Sequence, residues 1–229
     1  ITRDPIPVLP AVHYTMGGIP TDLHSQVMHP DYAVAGLYAV GEAACVSVHG
    51  ANRLGCNSLL ELVVFGKSAG EHASTYALSL NTFKPIPSSA IEPILTRFDA
   101  IRHAKGTQKP SYLRKQMQGR MQRYASIFRN DGLLKEGSRQ LRELWQLMQY
   151  DLHVADKSLI WNNDLLEALE LTNLMRQSVV TLAAASQRQE SRGAHWREDF
   201  PARDDINWLR HSLTFIDDNG NVRHSARPV

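Results

Sequence analysis

The chain has 229 residues, 43% hydrophobic and 21% charged, with 25 Lys and Arg against 23 Asp and Glu for a formal charge of +2. That composition belongs to a folded globular chain and excludes disorder, and the near-neutral balance, without long runs of like charge, excludes a nucleic-acid arm. No apolar run approaches the roughly 18 residues of a membrane span, so no direct span is expected and any membrane association goes through other subunits.

The chain starts at Ile1, with Pro5, Pro7 and Pro10 close behind and no secretory signal pattern, so it is expected to be a fragment or processed product. Residues 36–40, GLYAV, form a short apolar run closed by Gly41 and predict a buried strand with Glu42 at its C-terminal end. Cys45 and Cys56 are the only cysteines. They make neither a Cys-x-x-Cys pair nor a ligand cluster, which predicts two packing thiols in a reducing compartment. A helix is expected from Asn57 or Ser58 to Tyr76, with Leu59, Leu62, Val63, Gly66, Ala69, Gly70 and Ala73 on one apolar face. Gly66 and Gly70 sit beside Lys67 and Glu71, which points to close packing on a sheet rather than membrane dimerisation.

Pro85, Pro87, Ser88 and Ser89 stop one helix and start another, placing a domain edge near residue 80. Beyond it come three stripes at helical spacing: Leu113, Met117, Met121, Tyr124 and Phe128; Leu134, Leu141, Leu144, Trp145 and Met148; Leu165, Leu166, Leu169, Leu174 and Val180. They predict an antiparallel three-helix bundle with an N-cap at residues 162–164. Residues 187–210 are dense in Arg, Glu, Asp and His, a polar segment folded over something, and Asp218-Asn219-Gly220 predicts the turn of a hairpin over residues 213–222. The expected fold class is α+β: a small α/β domain over residues 1–80, a helical domain over 89–186, and a C-terminal segment with a β-hairpin over 187–229.

Residues 49–70, HGANRLGCNSLLELVVFGKSAG, are the most informative stretch. A helix start near Ser58 offers unpaired N–H groups and the positive dipole end, and Arg53 just before it adds a planar fork of donors suited to a carboxylate. An arginine among glycines and apolar residues is costly to bury without an anion; the plain alternative is an ion pair with Glu61. His13 opens HYTMGG, where small residues let backbone approach a ligand, yet a lone histidine near a strand is more often a satisfied core or surface group. Glu42 at a strand end is placed either to accept from ribose or ribityl hydroxyls or simply to face solvent. The histidines show no metal-ligand spacing, so no metal is expected, and no G-x-G-x-x-G is present to cradle a dinucleotide pyrophosphate.

Taken in order, HYTMGGIPTD (residues 13–22), GLYAVGEAACVSVHGANRLGCNSLLELVVFGKSAG (36–70) and ESRGAHWREDFPARDDINWLRHSL (190–213) strongly resemble the flavoprotein subunit of succinate dehydrogenase and fumarate reductase. The resemblance covers most of the chain and implies the C-terminal part of that subunit: the end of the FAD-binding domain, the helical domain and the C-terminal segment. It implies that His13 and Arg53 bind the substrate carboxylates, that Glu42 binds FAD through hydroxyls, and that Ser58 and Leu59 meet the flavin through their backbone. The family's glycine-rich phosphate loop, the histidine that carries FAD covalently and the proton-transferring arginine have no match among these residues. No catalytic acid or base is therefore assigned, and the chain alone is expected to be inactive and to bind no FAD.

The implied activity is FAD-dependent interconversion of succinate and fumarate. The implied partners are an iron–sulfur subunit and, through it, membrane anchor subunits, at the cytoplasmic face of an inner membrane or the mitochondrial matrix side. DFPARDDINWLRHSL is closer to succinate dehydrogenase, whereas the HYTM start is closer to fumarate reductase running in the opposite direction. L-aspartate oxidase, which shares the HGANR region in looser form, is the remoter alternative, and in isolation the chain could act only as a docking module for the iron–sulfur subunit.

Overall fold

In the computed structural model, residues 3–7, 12–82 and 85–229 are described, and the chain separates into two units, Ile1–Phe83 and Lys84–Val229. The first carries short strands β1 (Ile19–Pro20), β2 (Gln26–Met28), β3 (Ala33–Tyr38) and β4 (Ala44–Cys45), followed by helix α1 (Asn57–Ser79). β1 pairs in parallel with β4, whereas β2 and β3 form an antiparallel pair. Gly18, with φ +136°, makes the first pairing possible, because a Cβ there would lie 2.4 Å from the carbonyl oxygen of Ala43. The HYTMGG run is thereby laid against the short 3-10 turn Gly41–Ala43, which contains Glu42.

Two expectations are corrected in this unit. The strand expected at residues 36–40 lies at Ala33–Tyr38 and is not buried: among the described residues β2 is its one strand partner, and Leu37 is 51% exposed. Helix α1 starts where expected, but its inward face is different. Leu59, Leu62 and Val63 are exposed, whereas Glu61 and Ala69 are buried and Phe65, Ser68, His72 and Tyr76 half-buried. The reason is polar pairing: Ser25 Oγ donates to the Phe65 carbonyl (3.3 Å), Ser68 Oγ to the Leu23 carbonyl (3.1 Å), and the Tyr38 hydroxyl meets His72 Nδ1 at 2.7 Å. Nor do Gly66 and Gly70 mark a close approach, since a Cβ at Gly66 would make only an ordinary contact with Val40 and one at Gly70 would meet open space. Both cysteines are free thiols, Cys45 half-buried, but Cys56 is exposed rather than packed.

The second unit contains α2 (Ser88–Arg102), α3 (Pro110–Tyr124), α4 (Asp131–Asp151), α5 (Asn163–Gln187), the single turn α6 (Asp205–Trp208), and strands β5 (Arg210–Ile216) and β6 (Val222–Pro228). Helices α3, α4 and α5 contact one another pairwise, as their apolar stripes require, and α2 adds a fourth long helix against α5. The stripe count missed α2 because Phe98 and Ile101 alone reach the core, while Ile91, Ile94 and Leu95 are exposed. Leu113, Leu134, Leu141, Leu171, Met175 and Leu182 are fully buried, each stabilising the fold by about 1.5–3 kcal/mol relative to exposure. Asn130 and Asn162 cap α4 and α5 by accepting from the N–H groups of Leu133 (3.0 Å) and Leu165 (2.8 Å). Among the described residues no helix is long and apolar enough to cross a membrane.

The polar segment after α5 folds onto the helix ends as a charge network. Arg197 is fully buried, gripping Asp199 with two bonds (2.8 and 2.7 Å) and donating to the last carbonyls of α5 at Ala185 (3.2 Å) and Ser186 (3.1 Å). Asp199 in turn accepts from the Asp131 N–H at the start of α4 (2.9 Å). The hairpin forms as expected, with Arg210 opposite Pro228 and Ile216 opposite Val222. Its turn is seated on the helices: Gly220 (φ +82°) faces the Trp145 ring, and Gln149 donates to the Asp218 carbonyl at 2.9 Å.

Candidate active site

The first unit gathers side chains from three segments: the HYTMGG run, the turn after β3, and the loop entering α1. Cys56, in a left-handed conformation (φ +67°), precedes the first turn of α1, and no side chain caps the helix. The Asn-Ser pair is thus helical rather than capping. The Leu59 N–H is turned back to the Cys56 carbonyl at 3.1 Å, with Ser58 half-buried and the Leu59 side chain exposed.

Glu61, one turn into α1, is buried and was expected at most as an ion-pair partner of Arg53. It is instead held by two other groups: His49 Nε2 lies 2.6 Å from Glu61 Oε2, and the Tyr14 hydroxyl donates to the same oxygen at 3.1 Å. These donors offset the cost of removing the carboxylate from water. The Tyr14 and His49 rings meet edge to face at 5.8 Å. Burial first, then the charge of Glu61 and the bond to it, with a smaller push from Glu42, raise the Tyr14 phenol above its ordinary pKa; Arg53 opposes them.

Arg53 makes no ion pair among the described residues; its guanidinium lies over the Tyr14 ring, 4.5 Å from the centroid. Nη1 reaches the Leu54 carbonyl only at 3.4 Å, and Nε is buried with no hydrogen-bond partner among the described residues. His13 is exposed beside Tyr14, and Glu42, also exposed, accepts from the Thr15 N–H at 2.8 Å. The structure therefore joins the HYTMGG run to Glu42 through Thr15 and to Arg53 through Tyr14. Tyr14, His49 and the anchoring role of Glu61 were missed by the sequence reading. One signal was available: Glu61 is the single charged residue in LLELVVF, residues 59–65.

Residues 114–229, just over half of the chain, match the family described as fumarate reductase flavoprotein C-term. The chain belongs to that family. Residues 1–59 also match an FAD binding domain. The succinate dehydrogenase flavoprotein subunit of Rickettsia bellii is 51% identical over the whole chain, which spans 39% of that relative's length. The fumarate reductase flavoprotein subunit of Haemophilus influenzae is 37% identical over 99% of the chain and 37% of its own length. Among solved structures, E. coli quinol fumarate reductase superposes with a TM-score of 0.90 at 36% identity, covering 99% of this chain and 38% of that one. The Arg53 loop lies within the residues matched by the FAD binding domain. Glu42 is exposed with one oxygen bonded to the Thr15 N–H, the start of α1 has no side-chain cap, and Arg53 pairs with no carboxylate among the described residues.

Proposed function

We propose that this chain supplies the dicarboxylate clamp and part of the FAD site of a flavoprotein that interconverts succinate and fumarate, a succinate dehydrogenase rather than a fumarate reductase. The observation that carries the reading is Arg53: the nearby carboxylate, Glu61, is taken by His49 and Tyr14, so the guanidinium is left for an external anion. The higher identity to the R. bellii succinate dehydrogenase than to the H. influenzae fumarate reductase supports the choice between them.

In this reading Arg53 grips one substrate carboxylate through its planar fork, and His13 donates to a carboxylate, so that the reacting carbons are fixed before chemistry begins. Glu42 accepts from hydroxyls of the cofactor. The backbone at Ser58 and Leu59 presents the positive end of α1 to the flavin, favouring the negative charge of its reduced form. FAD, when bound, supplies the hydride acceptor. No residue of this chain is assigned as the proton-transferring group or as a phosphate cradle. Residues 1–80 act as part of the FAD-binding domain, 89–186 as the helical domain with α3, α4 and α5 as its three-helix core, and 187–229 as the C-terminal segment. The working protein sits peripherally on a membrane complex, on the cytoplasmic face or the mitochondrial matrix side, and passes electrons to an iron–sulfur subunit and through it towards membrane anchors and quinone.

The test is Arg53→Lys in the complete flavoprotein. Lysine keeps the charge and loses the fork, so kcat/KM for succinate should fall by about 100-fold or more while FAD content stays near normal. Turnover close to that of the unmodified protein would sink the proposal.

A further inference from the structure

We infer that Tyr14, anchored by the Glu61–His49 pair, is a positioning residue that sets the Arg53 guanidinium for the dicarboxylate, an inference that rests on the reading of Arg53 above. An arginine near a buried glutamate would ordinarily be drawn to it, and a neutralised Arg53 would be a poor clamp. Three contacts oppose that collapse. The guanidinium carbon lies over the Tyr14 ring, 4.5 Å from its centroid, so the ring face supports the cation without occupying any N–H. The phenol hydroxyl and His49 Nε2 both spend themselves on Glu61 Oε2, at 3.1 and 2.6 Å, so the carboxylate is already satisfied. The edge-to-face contact with His49 fixes the plane of the ring.

Arginine on an aromatic face keeps its donors directed outward in its plane, which suits two-pronged capture of a carboxylate. Tyr14 thus links the two halves of the site: its backbone neighbours are His13 and Thr15, the latter bonded to Glu42, and its side chain carries Arg53.

The readout is equilibrium binding of fumarate to the complete, oxidised holoenzyme, followed by perturbation of the flavin absorbance; oxidised flavin and fumarate cannot exchange electrons, so binding is measured without turnover. Tyr14→Leu should weaken fumarate about tenfold with FAD content unchanged, whereas Tyr14→Phe, which keeps the face, should stay within about threefold of the unmodified protein. In an Arg53→Lys background the Tyr14→Leu penalty should shrink to under about twofold, since the two substitutions act through one contact. Normal binding by Tyr14→Leu, equal damage from Tyr14→Phe, or the same penalty in both backgrounds overturns the inference. Should Tyr14→Leu lose FAD, Glu61→Leu carries the test: it removes the anchor and keeps the ring, should weaken fumarate about threefold, and overturns the inference if binding is unchanged. Normal fumarate binding by Arg53→Lys alone refutes the underlying site instead.

Discussion

Arginines in the two units live in opposite circumstances. In the C-terminal segment, Arg188 and Arg192 share the buried carboxylate of Glu190, at 2.5 and 2.8 Å, and Arg197 divides its donors between Asp199 and the end of α5. Almost every direction of those guanidinium groups is spent inside the molecule. Arg53 has an aromatic face below it, one long contact to a carbonyl, and a buried Nε without a partner among the described residues. The same side chain is a rivet in one place and unpaired with any carboxylate of the described residues in the other.

The comparison breaks most sharply on removal of a single carboxylate. Glu190→Ala strands Arg188 and Arg192 beside an emptied buried site and should destabilise the second unit by about 3–5 kcal/mol. Urea unfolding followed by tryptophan fluorescence reads that unit alone, because Trp145, Trp161, Trp196 and Trp208 all lie in it. A loss below about 1 kcal/mol would mean that the network is ornamental.

A smaller effect comes from His195, which the same arginines surround. Arginine can only donate, so the 3.1 Å contact from Arg129 Nη1 makes His195 Nδ1 the acceptor and leaves Nε2–H to donate to the Arg188 carbonyl at 3.1 Å. Burial first pushes its pKa below the ordinary 6.5; the bond to Arg188 opposes this, and the charges of Arg129, Arg188 and Arg197 add to it. The unfolded chain therefore binds the proton more readily. The stabilisation is complete above about pH 6.5 and is lost as pH falls from there towards the folded pKa, by at most about 1.4 kcal/mol per pH unit. His211 and His224 are pushed down by burial as well and act in the same direction. His195→Gln should flatten the stability–pH profile between pH 7 and 5 by up to one proton's worth; an unchanged slope would contradict the assignment. The smallest effect is on the other side of the comparison. Arg53→Ala, which breaks no ion pair among the described residues, should change unfolding free energy by less than about 0.5 kcal/mol in urea titrations followed by circular dichroism.

The sequence announced the parts of the fold that rest on apolar spacing. The stripe of α4, that of α3 as far as Tyr124 and the Asp218-Asn219-Gly220 turn were legible because each is dictated by burial or by a backbone angle that few residues accept. Helix α5 instead buries Leu165, Leu171, Met175 and Leu182 and exposes the expected Leu166 and Leu174, and Phe128 lies exposed beyond α3. Helix α1 misled for the converse reason. Its inward face is partly polar, and only the partners Leu23, Tyr38 and His49, distant in sequence, explain why Ser68, His72 and Glu61 turn inward. Resemblance pointed to Arg53 and Glu42, but whether Glu61 would claim Arg53 depended on the Tyr14 ring beneath the guanidinium and on His49 beside the carboxylate, contacts that no local pattern encodes.

Hairpin tips are ordinarily where a protein best accepts added length. The tip at Asp218–Gly220 is different, since a Cβ on Gly220 would stand 3.2 Å from Trp145 Nε1, Asp218 is bonded to Arg176 at 2.6 Å, and its carbonyl is held by Gln149. It behaves as a plug whose length is set by the socket beneath it. A reporter or affinity sequence inserted there would lift the plug from Trp145, so this turn is a poor place for grafting.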